Sequence, residues 1–146
     1  MRFWDASALV PALIDEVTSR HVREALALDG GIMAWWGTAV ECMSAIARGE
    51  REGRIRRDEV VRAIRTLDVI RDEWIEIEAT PQLREIGLRL LRVHPLRAAD
   101  ALQLAAAISA AEGAPSALPF VTLDDRLATA ADREGFTVIR FDLEEA

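Results

Sequence analysis

The 146-residue chain has no lysine, no asparagine and no tyrosine, a single cysteine and two histidines. Each absence closes a route. Without lysine there is no P-loop, whose lysine must reach the bound phosphates, and no G-x-x-x-x-G-K-[ST] run occurs. The lone Cys42 excludes an internal disulfide and a cysteine-based zinc cluster, and His21 and His94 lack metal-ligand spacing. Such thiol usage suits a reducing compartment. Positive charge is also scarce: 18 basic residues, all arginine, face 25 acidic ones for a net charge of −7. That balance argues against gripping nucleic acid by general phosphate attraction. No apolar run is long enough to span a bilayer, and the opening MRFWD reads as a strand rather than a secretory leader. The expected compartment is the cytoplasm, with no membrane partner.

What is present is apolar residue in quantity, 51% of the chain, enough for one domain over residues 1–146 to bury a core unaided. Apolar alternation and turn residues predict strands over 2–5, 32–36, 75–78, 118–122 and 137–141. Between them lie helices: 7–14; one to Leu28 capped by Thr18 or Ser19; one capped by Thr38; one capped by Asp58 and running to about 71; one opened by Pro81; 98–112; and 124–133. On the Thr38 helix, Val40, Met43, Ile46 and Ala47 are expected inward, with Glu41 and Ser44 sharing another face. The helix over 98–112 is apolar nearly all round apart from Asp100 and Gln103, as expected for a buried element. Residues after the last strand are expected to trail off. Strands alternating with helices imply an α/β fold, a three-layer α/β/α sandwich on a mainly parallel sheet of about five strands.

Arginines crowd the stretch 48–65, which forms either a solvated surface of (i, i+4) pairs or a local basic face. Trp4, Trp35, Trp36 and Trp74 are read mainly as core or interface residues, Cys42 as a small packed residue, His94 as a helix terminus and His21 as a surface residue.

Four acidic residues, Asp5, Glu41, Asp100 and Asp124, stand where a strand ends or a helix begins. Taken singly, Asp5 and Asp124 are good helix caps, Glu41 could be a surface residue and Asp100 could pair with Arg97. Taken together, a parallel sheet with crossover helices would return all four to one edge. Carboxylates gathered there repel one another unless a cation neutralises them, and an oxygen-only donor set suits Mg²⁺ or Mn²⁺. One such ion would position a water against a phosphoryl group, and two, about 4 Å apart, would also clamp the leaving group.

Four motifs in order carry a resemblance along the whole chain: DASALV with Asp5 and Ser7, TAVECMSAIAR with Glu41, LRAADALQLAAA with Asp100, and FVTLDDRL with Thr122 and Asp124. Together they resemble the PIN-domain ribonucleases of the VapC type, the toxin halves of toxin–antitoxin pairs. The resemblance implies that Asp5, Glu41, Asp100 and Asp124 bind Mg²⁺ or Mn²⁺ and direct water onto an RNA phosphodiester. Ser7 and Thr122 would support them by hydrogen bonding. It also implies an antitoxin protein as partner and a homodimer. The spacing of the last motif selects Asp124, with Asp125 either sharing its role or lying in the first helical turn. Two other readings remain, a metal-dependent phosphohydrolase of small molecules and a catalytically silent PIN-like binding module.

Overall fold

A computed structural model describes residues 1–141. Among these described residues the chain lays down five strands, β1 (Arg2–Trp4), β2 (Ile32–Trp35), β3 (Ile75–Ile77), β4 (Phe120–Val121) and β5 (Val138–Ile139). They form one sheet in the order β3-β2-β1-β4-β5, with every neighbouring pair parallel. Seven helices connect them: α1 (Ala6–Leu13), α2 (Ser19–Leu28), α3 (Thr38–Arg51), α4 (Arg57–Glu73), α5 (Pro81–Val93), α6 (Ala98–Ala111) and α7 (Asp125–Arg133). A 3-10 turn over Pro115–Ala117 precedes β4.

Successive strand residues point to opposite faces, and the register puts like-facing residues side by side. Phe3 aligns with Phe120 and Trp4 with Val121. On one face Phe3, Trp35 and Phe120 pack under α5, α6 and α7, with the Phe3 and Phe120 rings stacked at 5.3 Å. On the other, Trp4, Ala34 and Val121 pack under α1 to α4. Both faces of the sheet are thus covered, the three-layer α/β/α arrangement that a parallel sheet demands. Leu9, Ile46, Leu90 and Leu104 are completely buried, each contributing about 1.5–3 kcal/mol by leaving water. Small residues set the closest approach: Ala101, Ala105, Ala106 and Ala107 let α6 lie tight against the sheet and against Leu83, Gly87 and Leu90 of α5.

Several local expectations give way. The buried face of α3 is Thr38, Cys42, Ile46 and Gly49, whereas Val40 is 67% and Met43 39% exposed, with Ala47 half-buried. Both sides of that helix carry apolar residues, so apolar periodicity could not choose between them. Burial of Thr38 becomes acceptable because its hydroxyl accepts a hydrogen bond from Gln103. Gly37, not Thr38, occupies the N-cap, and a Cβ there would stand 2.5 Å from the Trp35 indole nitrogen. Helix α4 starts at Arg57 rather than being capped by Asp58: the Arg56 backbone N–H donates to Glu59 Oε1 at 3.1 Å and Asp58 falls in the first turn. Thr18 occupies the N-cap of α2, as expected, but its side chain makes no capping bond, and the Ser19 hydroxyl instead donates to the Ile14 carbonyl and accepts the Glu16 N–H. Helix α5 begins as expected, with Thr80 Oγ1 accepting from the Leu83 N–H at 3.1 Å and Pro81 in the first turn.

Strands β4 and β5 are shorter than the apolar runs that announce them. Of the tryptophans only Trp36 is exposed. Cys42 is buried and its thiol is pushed up to about 12, the state of an inert packed side chain. No helix among the described residues is long and apolar enough to cross a membrane. The expected trailing end lies outside the described residues.

Candidate active site

The chain runs outward from β1 to β2 to β3, then crosses back to place β4 on the opposite side of β1. That reversal leaves a crevice at the carboxyl ends of β1 and β4, where an open parallel sheet takes its ligands. A cleft of about 640 Å³ opens there, and Ser7, Glu41, Asp100, Asp124 and Asp125 line it.

Asp5 follows directly on β1. Its backbone N–H continues the ladder to the Val121 carbonyl at 3.2 Å, and its side chain caps α1 through the Ala8 N–H at 3.3 Å. It is therefore a cap, as a lone Asp at this place should be, and also a carboxylate only 3% exposed beneath the cleft. Ser7 Oγ donates to it at 2.8 Å and accepts the Leu123 N–H at 3.0 Å, tying the start of α1 to the end of β4. Thr122 Oγ1 lies 3.3 Å from Ser7 Oγ and accepts the Asp124 N–H at 3.1 Å. Burial pushes the Asp5 carboxyl from 3.8 up to about 7, against the opposing pull of Ser7 and Thr122.

Asp124 caps α7 through the Leu127 N–H at 2.8 Å and is half-buried. Asp125, the first residue of α7, is exposed and paired with Arg140. Glu41 and Asp100 each lie in the first turn of a helix, α3 and α6, facing the same cleft. Burial raises both carboxyls; Asp100 adds to the rise at Glu41, and Asp124 to the rise at Asp100. Arg97 and Arg126 partly offset the latter. Gln103 Nε2 donates to Glu41 Oε2 at 2.7 Å and to Thr38 Oγ1 at 2.9 Å.

Arg48, Arg97 and Arg126 also line the cleft, so an acidic floor carries a basic rim. The rest of the arginine-rich stretch behaves mainly as a solvated surface, with Arg54 paired to Glu52, Arg56 to Asp58 and Glu59, and Arg62 to Asp58. Sequence reasoning had no signal for Arg126, an ordinary first-turn residue. Gln103 was visible as a polar residue on an apolar helix, but its partner 62 positions away was not.

Among the described residues, no three carboxylate, imidazole or thiol groups stand close enough to share one ion in their present side-chain conformations. The donor chemistry nonetheless fits a hard divalent cation. The donors are carboxylate oxygens, three of them line one cleft, and their mutual repulsion is what a cation would relieve. Ligation of one ion by three of them requires some of these side chains to rotate from their present conformations.

Fold and cleft together define a parallel α/β/α protein with an acidic crevice, rimmed by arginine, at its strand ends. The chain belongs to the PIN-domain family, whose model matches residues 2–133. No curated protein sequence matches it. Among solved structures it is similar to PAE2754 from Pyrobaculum aerophilum, at 23% identity and a TM-score of 0.64 over 95% of this chain and 87% of that one. A toxin–antitoxin complex from Klebsiella pneumoniae gives 18% identity and a TM-score of 0.63 over 95% and 96%. VapC20 of Mycobacterium tuberculosis, described as a toxin that cleaves the sarcin–ricin loop, gives 16% and 0.65 over 93% and 96%. At these identities the likeness is one of fold.

Proposed function

We propose that this protein is a Mg²⁺- or Mn²⁺-dependent endoribonuclease, the toxin of a toxin–antitoxin pair acting in the cytoplasm. The observation that carries the reading is the gathering of Glu41, Asp100 and Asp124, from three separate elements, in one cleft rimmed by Arg48, Arg97 and Arg126, with Asp5 directly beneath. Membership of the PIN family and the fold shared with a toxin–antitoxin complex and a VapC toxin point the same way.

In this reading Asp5, Glu41, Asp100 and Asp124 hold the cation, and Ser7 and Thr122 orient Asp5. When bound, the cation supplies Lewis acidity, making water a competent nucleophile near neutral pH and offsetting charge on the phosphoryl group. The chain's own part is selection and placement. Its net charge of −7 repels RNA at a distance, so productive encounters depend on the three rim arginines, whose guanidinium groups suit phosphate oxygens. Ser7 stabilises the buried Asp5 carboxylate in the orientation that also caps α1. An antitoxin blocking this cleft would need to satisfy the same carboxylates, as a basic segment could. Homodimerisation belongs to the reading, and the exposed Trp36, Val40 and Met43 support it as an apolar face beside α3.

The test is to induce the wild type and Asp100→Asn in a bacterial host and map new RNA 5′ ends. Discrete cuts and growth arrest with the wild type alone are expected. Equal cutting by both, or by neither when both fold, counts against the proposal. A silent binding module is the second reading, favoured by the absence of three converged ligand groups among the described residues. Turnover of a phosphomonoester without RNA cleavage would instead indicate a phosphohydrolase.

A further inference from the structure

Thr38 and Glu41 are three residues apart on α3, and Asp100 and Gln103 are three apart on α6, so each helix turns two polar side chains toward one side. Between the helices a single amide makes the connection. Both hydrogens of Gln103 Nε2 are committed, to Glu41 Oε2 and to Thr38 Oγ1. Gln103 and Thr38 are fully buried while Glu41 is half-buried and lines the cleft.

For packing alone, a glutamine here is a poor choice. Its neighbours Leu104, Ala105, Ala106 and Ala107 are apolar, and its own Oε1 is buried with no partner among the described residues. An unmet buried acceptor is destabilising, and an apolar side chain of the same length would avoid it. The amide cannot gain by turning over, because its carbonyl would then face the Glu41 carboxylate. Hydrogen bonds to a charged acceptor are the strong ones, so one donor holds Oε2 of Glu41 firmly while the other anchors the amide on Thr38.

We infer that Gln103 is a positioning residue for the acidic site: it pins one oxygen of Glu41, using Thr38 as the second anchor, and leaves the other oxygen for a divalent cation in the cleft. The inference rests on the metal-site reading proposed above. In ligation of this kind, removing the partner that orients a ligand costs about 10–100-fold in metal affinity.

Calorimetric titration of the full chain with MnCl₂, for wild type, Asp100→Asn, Gln103→Met and Gln103→Leu, together with melting curves without metal, tests it. Both Gln103 variants are expected to fold and to melt close to the wild-type temperature, since loss of the orphaned carbonyl offsets the bonds withdrawn from Thr38 and Glu41, yet to bind Mn²⁺ about 10–100-fold more weakly. Wild-type affinity in either folded variant overturns the inference and leaves the metal site standing, provided Asp100→Asn has lost binding. Failure of both variants to fold overturns it too, marking Gln103 as a structural residue. A wild type that binds no Mn²⁺ removes the metal site and this inference together.

Discussion

Burial holds the Asp5 carboxyl at about 7, so the folded chain keeps a proton there that the unfolded chain, with an ordinary carboxyl near about 4, releases first. Between those values the folded state binds more protons, and stability contributed by this group falls as pH rises through the window. Asp5→Asn keeps an acceptor for Ser7 and Ala8 while removing the buried charge. We expect it to raise the metal-free stability at pH 8 by about 1–3 kcal/mol, to change little at pH 4, and to abolish RNA cleavage. A pair of melting curves at the two pH values checks the sign. Glu134 behaves in the opposite sense. It accepts from Arg89 Nη2 at 2.7 Å and contacts His94 Nε2 at 2.8 Å, and Arg89 holds its carboxyl below the ordinary range. The stability it adds is therefore complete above the unfolded carboxyl value and is lost as pH falls through the depressed folded one. Because Arg89 is half exposed, solvent screens much of the pair, and Glu134→Gln should cost about 1–2 kcal/mol at pH 7 and less at pH 3, read by urea unfolding.

Helix α5 shows how an element's packing can contain slack. Gly87 sits in its interior facing α6, where a Cβ would meet Leu102 Cδ2 at 3.6 Å and Ala105 Cβ at 3.9 Å, ordinary contact distances. The glycine's conformational freedom is used for nothing there. Gly87→Ala should add about 0.5–1 kcal/mol, seen as a higher urea midpoint at unchanged slope. Gly49 on α3 contrasts with it, since Ile55 already stands 3.2 Å from where a Cβ would be. Helix α3 also explains a failed expectation at this scale. Its two apolar sides compete for the core, and the side carrying Thr38, Cys42 and Ile46 goes inward, with the Thr38 hydroxyl satisfied by Gln103 of α6.

For the molecule as a whole, that outcome leaves Val40 and Met43 beside the exposed Trp36 on the surface. If this face joins two copies, Val40→Asp places a charge in the interface without touching either core. Sedimentation should then show a dimeric wild type and a monomeric variant with an unchanged melting temperature at low concentration; identical sedimentation of the two would discount this face. The order in which strands join the sheet also makes the site. Because β4 returns to the far side of β1, Asp5 and Asp124 flank one crevice, although they lie 119 positions apart in sequence.

The sequence by itself determined the layered α/β/α class, the start of α5 at Thr80 and Pro81, and the acidic residues at element ends. These depend on local chemistry: apolar period, cap residues, and carboxylates where packing gains nothing from them. It also carried the motif order that places the chain in the PIN family. Tertiary structure decided which side of α3 is buried, that Asp5 sinks beneath the cleft while Asp125 stays at the surface, and that Gln103 reaches Glu41 and Thr38. It also separated the arginines that rim the cleft from those paired on the surface. The reason is physical: periodicity reports how apolar each face is, whereas burial and hydrogen bonding depend on which distant residue arrives opposite, and that is fixed only when the strands take their order in the sheet.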